Sequence, residues 1–216
     1  DPLADAARLA AAAHYSAGPG MPRVAAVAPD IETRAEGTRL TVGAVVVYYR
    51  ELRRLLPANV AILATVPWPS EKRVGKYPYA VTAQYADAFV PMAYWFNRSP
   101  AAVTQQSIRY LERFGRPVMP AGMAYDPDVD APWMHLATPK AKDLTAFAAA
   151  ARNAGATAIS FWAWQTATPD HWQGIRAAAR TFSADSVPGP AAPADSPLRV
   201  AIPLGVVSGG PFDRPY

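Results

Sequence analysis

The sequence predicts an α/β chain of the (β/α)8-barrel (TIM-barrel-like) type, supplying the C-terminal five β/α units followed by a Pro-rich tail. Three observations lead there. Short apolar runs alternate with helical stretches at intervals of roughly 25–40 residues, a pattern that requires parallel strands with crossover helices. Polar and aromatic residues gather just after each run: Asp30 and Glu32, Trp68, Tyr94 and Trp95, Tyr125 and Asp126, Trp164 and Gln165. A barrel sets all five positions around one mouth. No Gly-rich phosphate loop follows any run, although a nucleotide-binding sheet usually carries one.

An Ala-rich helix is expected over 4–14, ended by Gly18-Pro19-Gly20, and a strand buried on both faces over 24–31. A helix over 42–56 stops at Pro57, and 60–66 is the second strand. A short helix over 80–85 and a strand over 88–92 follow. Ser99-Pro100 opens a helix that runs to Phe114 and ends at Gly115. Residues 117–121 are expected as a strand, 122–139 as a long loop, 140–153 as a helix and 156–161 as the fifth strand. Thr168-Pro169-Asp170 begins the last helix, which ends near Arg180. The expected domains are a partial barrel over 1–182 and a Pro/Ala/Gly-rich tail or linker over 183–216, whose one apolar run is 200–207. A closed barrel has eight strands and typically about 250 residues. Another segment or a second chain is therefore expected to complete the sheet, unless the tail itself carries strands.

Composition narrows the function. The 216 residues carry a formal charge of +4 with scattered basic side chains, which does not make the basic stripe of a nucleic-acid binder. No apolar run is long enough to span a bilayer. No signal peptide is visible, and the opening Asp1-Pro2 suggests a mature or trimmed product. Without cysteine there is no thiolate metal site or thiol nucleophile, and His14, His135 and His171 lack zinc-like spacing. Neither metal nor cofactor is expected. Asp126, Asp128 and Asp130 alternate in a loop, but Pro127, Pro132 and the lack of a later Gly and Glu favour solvated acids over a calcium site.

Asp30-Ile31-Glu32 carries the expected chemistry. Residues two apart on a strand point the same way, so two carboxylates would face the mouth. Like charges that close raise one pKa and keep a proton available for a leaving group. The plainer alternative has Asp30 capping a loop and Glu32 pairing with Arg34 or Arg39. Around the pair, Trp68, Trp95, Trp162, Trp164, Tyr94 and Tyr125 offer flat faces on which sugar rings stack, or else they fill the core.

Val27-Ala28-Pro29-Asp30-Ile31-Glu32, Phe89-Val90-Pro91-Met92-Ala93-Tyr94 and Ile159-Ser160-Phe161-Trp162-Ala163-Trp164 resemble strands four, six and eight of glycoside-hydrolase barrels of the chitinase-like family 18 type. The resemblance covers roughly residues 24–175. It implies Glu32 as general acid, Asp30 orienting an acetamido group that acts as nucleophile, Tyr94 bonding that group, and Trp162 or Trp164 under the sugar. The Met-x-Tyr pair also brings Met92 into the binding set, with Trp68, Trp95, Tyr125, Asp126 and Gln165. The chain departs from the family at Ala25 and Ala28, where further acids stand, and at Trp95, where Asp or Asn is usual. The lysozyme-like family 25 is a second resemblance, through Asp-x-Glu and Trp164-Gln165. Together they imply a β-linked polysaccharide containing N-acetylated sugars (exopolysaccharide, chitin-like or peptidoglycan) as partner. The expected setting is a bacterial envelope, periplasm or exterior. A catalytically inactive glycan-binding or scaffolding barrel is the alternative.

Overall fold

The computed structural model describes residues 1–16, 18–21, 23–33, 38, 41–130 and 132–182. Among these residues, five parallel strands form one curled half-barrel sheet in sequential order: β1 (Ala26–Val27), β2 (Ala61–Pro67), β3 (Ala88–Met92), β4 (Ala121–Met123) and β5 (Ser160–Trp162). The helices before, between and after them are α1 (Pro2–Ala13), α2 (Val42–Leu55), α3 (Tyr79–Thr82), α4 (Pro100–Leu111), α5 (Pro127–Asp130), α6 (Ala141–Asn153) and α7 (Pro169–Thr181). The expected tail, 183–216, lies outside the described residues.

The helix starts follow from side chains that cap free backbone N–H groups. Thr41, Ser99 and Thr168 accept from the N–H groups of Ala44, Ala102 and His171. Pro100 and Pro169 occupy first-turn positions where a missing N–H costs nothing. Gly115 (φ 68°) closes the 3₁₀ turn that continues α4, in a left-handed conformation that favours glycine.

Alternation separates the two faces of the sheet. Ile62, Ala64 and Val66 of β2 and Phe89 of β3 pack outward with Tyr49 and Leu52 of α2 and Ile108 and Leu111 of α4. Leu63, Ala88 and Met119 face the concave side with half-buried Ala26, Val90 and Ala158. A third cluster at the strand ends joins Trp68, Trp95, Met123 and Tyr125 to Leu144 and Phe147 of α6. Near the strand starts, Arg53 of α2 binds Asp87 at 2.6 Å and the Tyr85 carbonyl at 2.8 Å. The same Asp87 oxygen accepts from the Ile62 N–H at 2.7 Å, which ties β2 to the approach of β3.

Three strands differ from expectation. The fifth, expected over 156–161, is confined to Ser160–Trp162. The run 24–31 pairs regularly only at Ala26–Val27, with one further bridge from Asp30 to Thr65. Its hydrophobicity reflects packing as well as pairing, since Val24 and Ile31 both join the α1–α2 core. The fourth strand starts at Ala121 rather than Pro117. Pro117 and Pro120 have no N–H to donate to a ladder, so before Pro120 only Val118 bridges, to Phe89. The expected loop 122–139 accordingly contains the end of β4, the α5 turn and a 3₁₀ turn at Pro132–Met134.

Candidate active site at the strand ends

Parallel order puts every strand's C-terminal end on one rim. Asp30 is exposed and bridges to Thr65 of β2; Glu32, two residues on, is half-buried. Asp30 and Glu32 both make interactions within the fold. Arg34 and Arg39, the alternative partners for Glu32, lie outside the described residues.

Phenols surround the acidic pair. Tyr94, just past β3, has its proton affinity raised well above the ordinary value, by burial first and then by Asp30, Tyr125 and Glu32. Tyr77, from the loop after β2, is raised by burial and then by Tyr49, Tyr79, Asp30 and Glu32. Tyr49 of α2 is raised by burial, then by Tyr48 and Asp30. Tyr94 and Tyr77 therefore sense both carboxylates and stay protonated at neutral pH, and the Tyr77 hydroxyl donates to the Ile31 carbonyl at 2.7 Å. The Tyr94 ring also lies 6.2 Å from Tyr125, nearly edge-on.

The remaining rim aromatics divide. Trp162 is 52% exposed and Trp164 47% exposed, with Gln165 exposed beside them. The peptide bond between Trp162 and Ala163 is cis. By contrast Trp95 is buried against Phe147, ring centroids 5.7 Å apart, and Tyr125 is buried in the same cluster. Trp68 is buried too, with the Arg98 guanidinium 5.6 Å from its ring centroid. Met92 and Asp126 are half-buried, and Asp126 accepts from the Asp128 N–H at 3.0 Å, forming the turn that opens α5. The rim thus gathers Asp30, Glu32 and Tyr94, while Trp68, Trp95 and Tyr125 belong mainly to the core beneath it. Among the described residues, no group of three or more His, Asp or Glu is arranged to hold a metal ion.

Tyr77 and Thr65 join the acidic pair without any expectation from the sequence, whereas Tyr79 bonds the Pro67 carbonyl away from the acids. The Lys76-Tyr77-Pro78-Tyr79 run was the available signal, because two aromatics flank a proline directly before a helix.

The buried phenols set an alkaline limit. Tyr48 is pushed up to about 12, chiefly by burial and then by Asp5. A phenol of the unfolded chain ionises near about pH 10, so above that pH the unfolded state holds fewer protons and stability falls. Below it, these tyrosines contribute their full stabilisation. Thermal melts followed by circular dichroism should give a midpoint insensitive to these groups below about pH 9, and a decline between about pH 10 and 12.

No protein-family profile and no curated protein matches the chain. Among solved structures, it is similar to a candidate α-L-fucosidase, a glycoside hydrolase, from Bacteroides thetaiotaomicron VPI-5482. The identity is 10% and the TM-score 0.46, over 66% of this chain and 49% of that one. The chain therefore spans about half the length of that structure. A likeness of that size identifies neither substrate nor catalytic residues.

Proposed function

We propose that the protein is a glycosidase that hydrolyses a β-linked polysaccharide containing N-acetylated sugars. The observation that carries this reading is the Asp30–Glu32 pair on the strand-end rim, within electrostatic reach of the protonated Tyr77 and Tyr94. In this reading Glu32 donates a proton to the glycosidic oxygen as the bond breaks. Asp30 orients the acetamido group, whose carbonyl oxygen attacks the anomeric carbon, and the Tyr94 hydroxyl donates a hydrogen bond to it. Half-exposed Trp162 and Trp164 supply faces for sugar C–H groups, with Gln165, Met92 and Asp126 nearby and the mainly buried Trp68, Trp95 and Tyr125 behind the rim. The proposed setting is a bacterial cell envelope or exterior, where such polymers occur. The proposed partner for the open sheet is another segment or chain that supplies the remaining strands.

A specific observation favours the second reading, a glycan-binding barrel without turnover. Ala28, exposed beside Asp30, stands where a further acid would support it. Reducing ends released from chitin, peptidoglycan and bacterial exopolysaccharides decide between the two. Turnover of one polymer supports the glycosidase; saturable binding without turnover at any pH supports the binding barrel. In either case Trp162→Ala and Trp164→Ala should each weaken oligosaccharide binding by about 3- to 10-fold, measured by titration calorimetry. Unchanged affinity in both variants would remove these rings from the site.

A further inference from the structure

We infer that Tyr77 is the positioning residue of the acidic pair, holding the strand end that carries Asp30 and Glu32 through its hydrogen bond to the Ile31 carbonyl. This inference rests on the proposed function for its chemical meaning and on geometry for its substance. The Tyr77 hydroxyl donates to the Ile31 carbonyl oxygen at 2.7 Å, across 46 residues of sequence. That oxygen belongs to the peptide plane joining Ile31 to Glu32, so the bond fixes the direction in which residue 32 leaves the strand. Its location matters because the sheet stops there. Thr65 N–H donates to the Pro29 carbonyl at 3.0 Å and Asp30 bridges Thr65, but residues 31–33 are irregular. Tyr77 carries the restraint past the point where strand pairing ends.

The phenol is itself held firmly. Tyr77 is buried, and its N–H donates to the Arg73 carbonyl at 2.9 Å. Its ring lies 4.6 Å from that of Tyr79, which in turn lies 5.4 Å from Tyr110 of α4. Tyr79 makes the equivalent bond one strand over, donating to the Pro67 carbonyl at the end of β2 at 2.8 Å. The two tyrosines flank Pro78 and staple adjacent strand ends, yet only the Tyr77 staple holds a carboxylate-bearing segment. Tyr79 is therefore an internal control: the same residue type, similarly buried, making the same kind of bond without the acids.

Tyr77→Phe and Tyr79→Phe separate positioning from general stability. Each removes one buried phenol–carbonyl bond, so comparable losses of melting temperature are expected. On the polymer that wild type cleaves, Tyr77→Phe should lower kcat by about 10- to 100-fold with KM little changed, because a misplacement of about 1 Å costs that much. Tyr79→Phe should stay within about 3-fold of wild type on the same scale. Equal kcat in the two variants would overturn the inference. Carbon-13 NMR titration of the Asp30 and Glu32 carboxyls gives a readout free of turnover. The titration midpoint of at least one should move in Tyr77→Phe and stay put in Tyr79→Phe, and midpoints identical to wild type in both variants would overturn the inference if wild type cleaves nothing. Absence of wild-type turnover counts against the glycosidase reading alone. If Tyr77→Phe does not fold, fluorotyrosine at position 77 makes the phenol more acidic and changes the strength of the bond it donates at nearly constant volume, and the carboxyl titration readout applies.

Discussion

Glu32→Gln is expected to lower turnover of whichever polysaccharide the wild type cleaves by about 100- to 10,000-fold, with KM nearly unchanged. Gln matches Glu in shape and keeps one carbonyl oxygen, but it has no proton to give to the departing oxygen. The sugar contacts proposed for Trp162 and Trp164 would be left in place, which is why the loss should fall on kcat. Asp30→Asn should behave differently. It keeps a hydrogen-bonding group beside the substrate while removing the charge next to Tyr94 and Tyr77. Its loss of turnover should be smaller than that of Glu32→Gln, because the amide can still hydrogen-bond the acetamido group. The wild type itself should not turn over a deacetylated polymer, which lacks that nucleophile. Initial rates on the cleaved polymer and on its deacetylated form measure both. A Glu32→Gln enzyme within about 3-fold of wild type would locate the acid elsewhere, since removal of a general acid costs far more than that.

What the sequence made legible tracks how local each determinant is. Caps at Thr41, Ser99 and Thr168 act within three residues, and the helices they start were expected where they occur. β2 and β3 were equally readable, because strands buried on both faces produce near-continuous apolar runs. β1 and β4 were less so. Proline at 117 and 120 removes ladder donors without lowering apolar content, and Val24 is apolar for packing rather than for pairing. The rim was legible as a set of positions but not as orientations. Trp95 and Trp164 both follow a strand end, yet one meets Phe147 and the other meets solvent. The chain turns at Phe96 with φ 48°, and the Phe96 N–H donates to the Met123 sulfur at 3.3 Å. Such a turn is fixed by tertiary contacts that no spacing rule reports. The Tyr77–Ile31 bond is hidden for the same reason, since its partners meet only once the sheet has formed.

Phe147→Ala is expected to cost about 3–5 kcal/mol, the largest stability loss of any single change considered for this fold. The ring is fully buried on α6 and lies 5.7 Å from Trp95 and 5.4 Å from Phe161. It fits because Gly122 of β4 has no side chain; a Cβ there would sit 2.9 Å from the Phe147 ring. The cavity left by truncation cannot close from the sheet side without moving β4. Phe161 precedes the exposed Trp162, so the loss should also loosen the rim and weaken glycan binding. Urea denaturation measures the first effect, and a double-mutant cycle tests its cause. Gly122→Ala alone should destabilise by about 1–3 kcal/mol through overpacking against the ring. In the Phe147→Ala background the same added methyl meets an empty space, and its cost should fall below about 0.5 kcal/mol or change sign. An identical cost in both backgrounds would mean that the helix approaches the sheet for a reason other than the Gly122–Phe147 contact. The expected coupling would instead show that one missing Cβ sets how closely α6 packs under the rim.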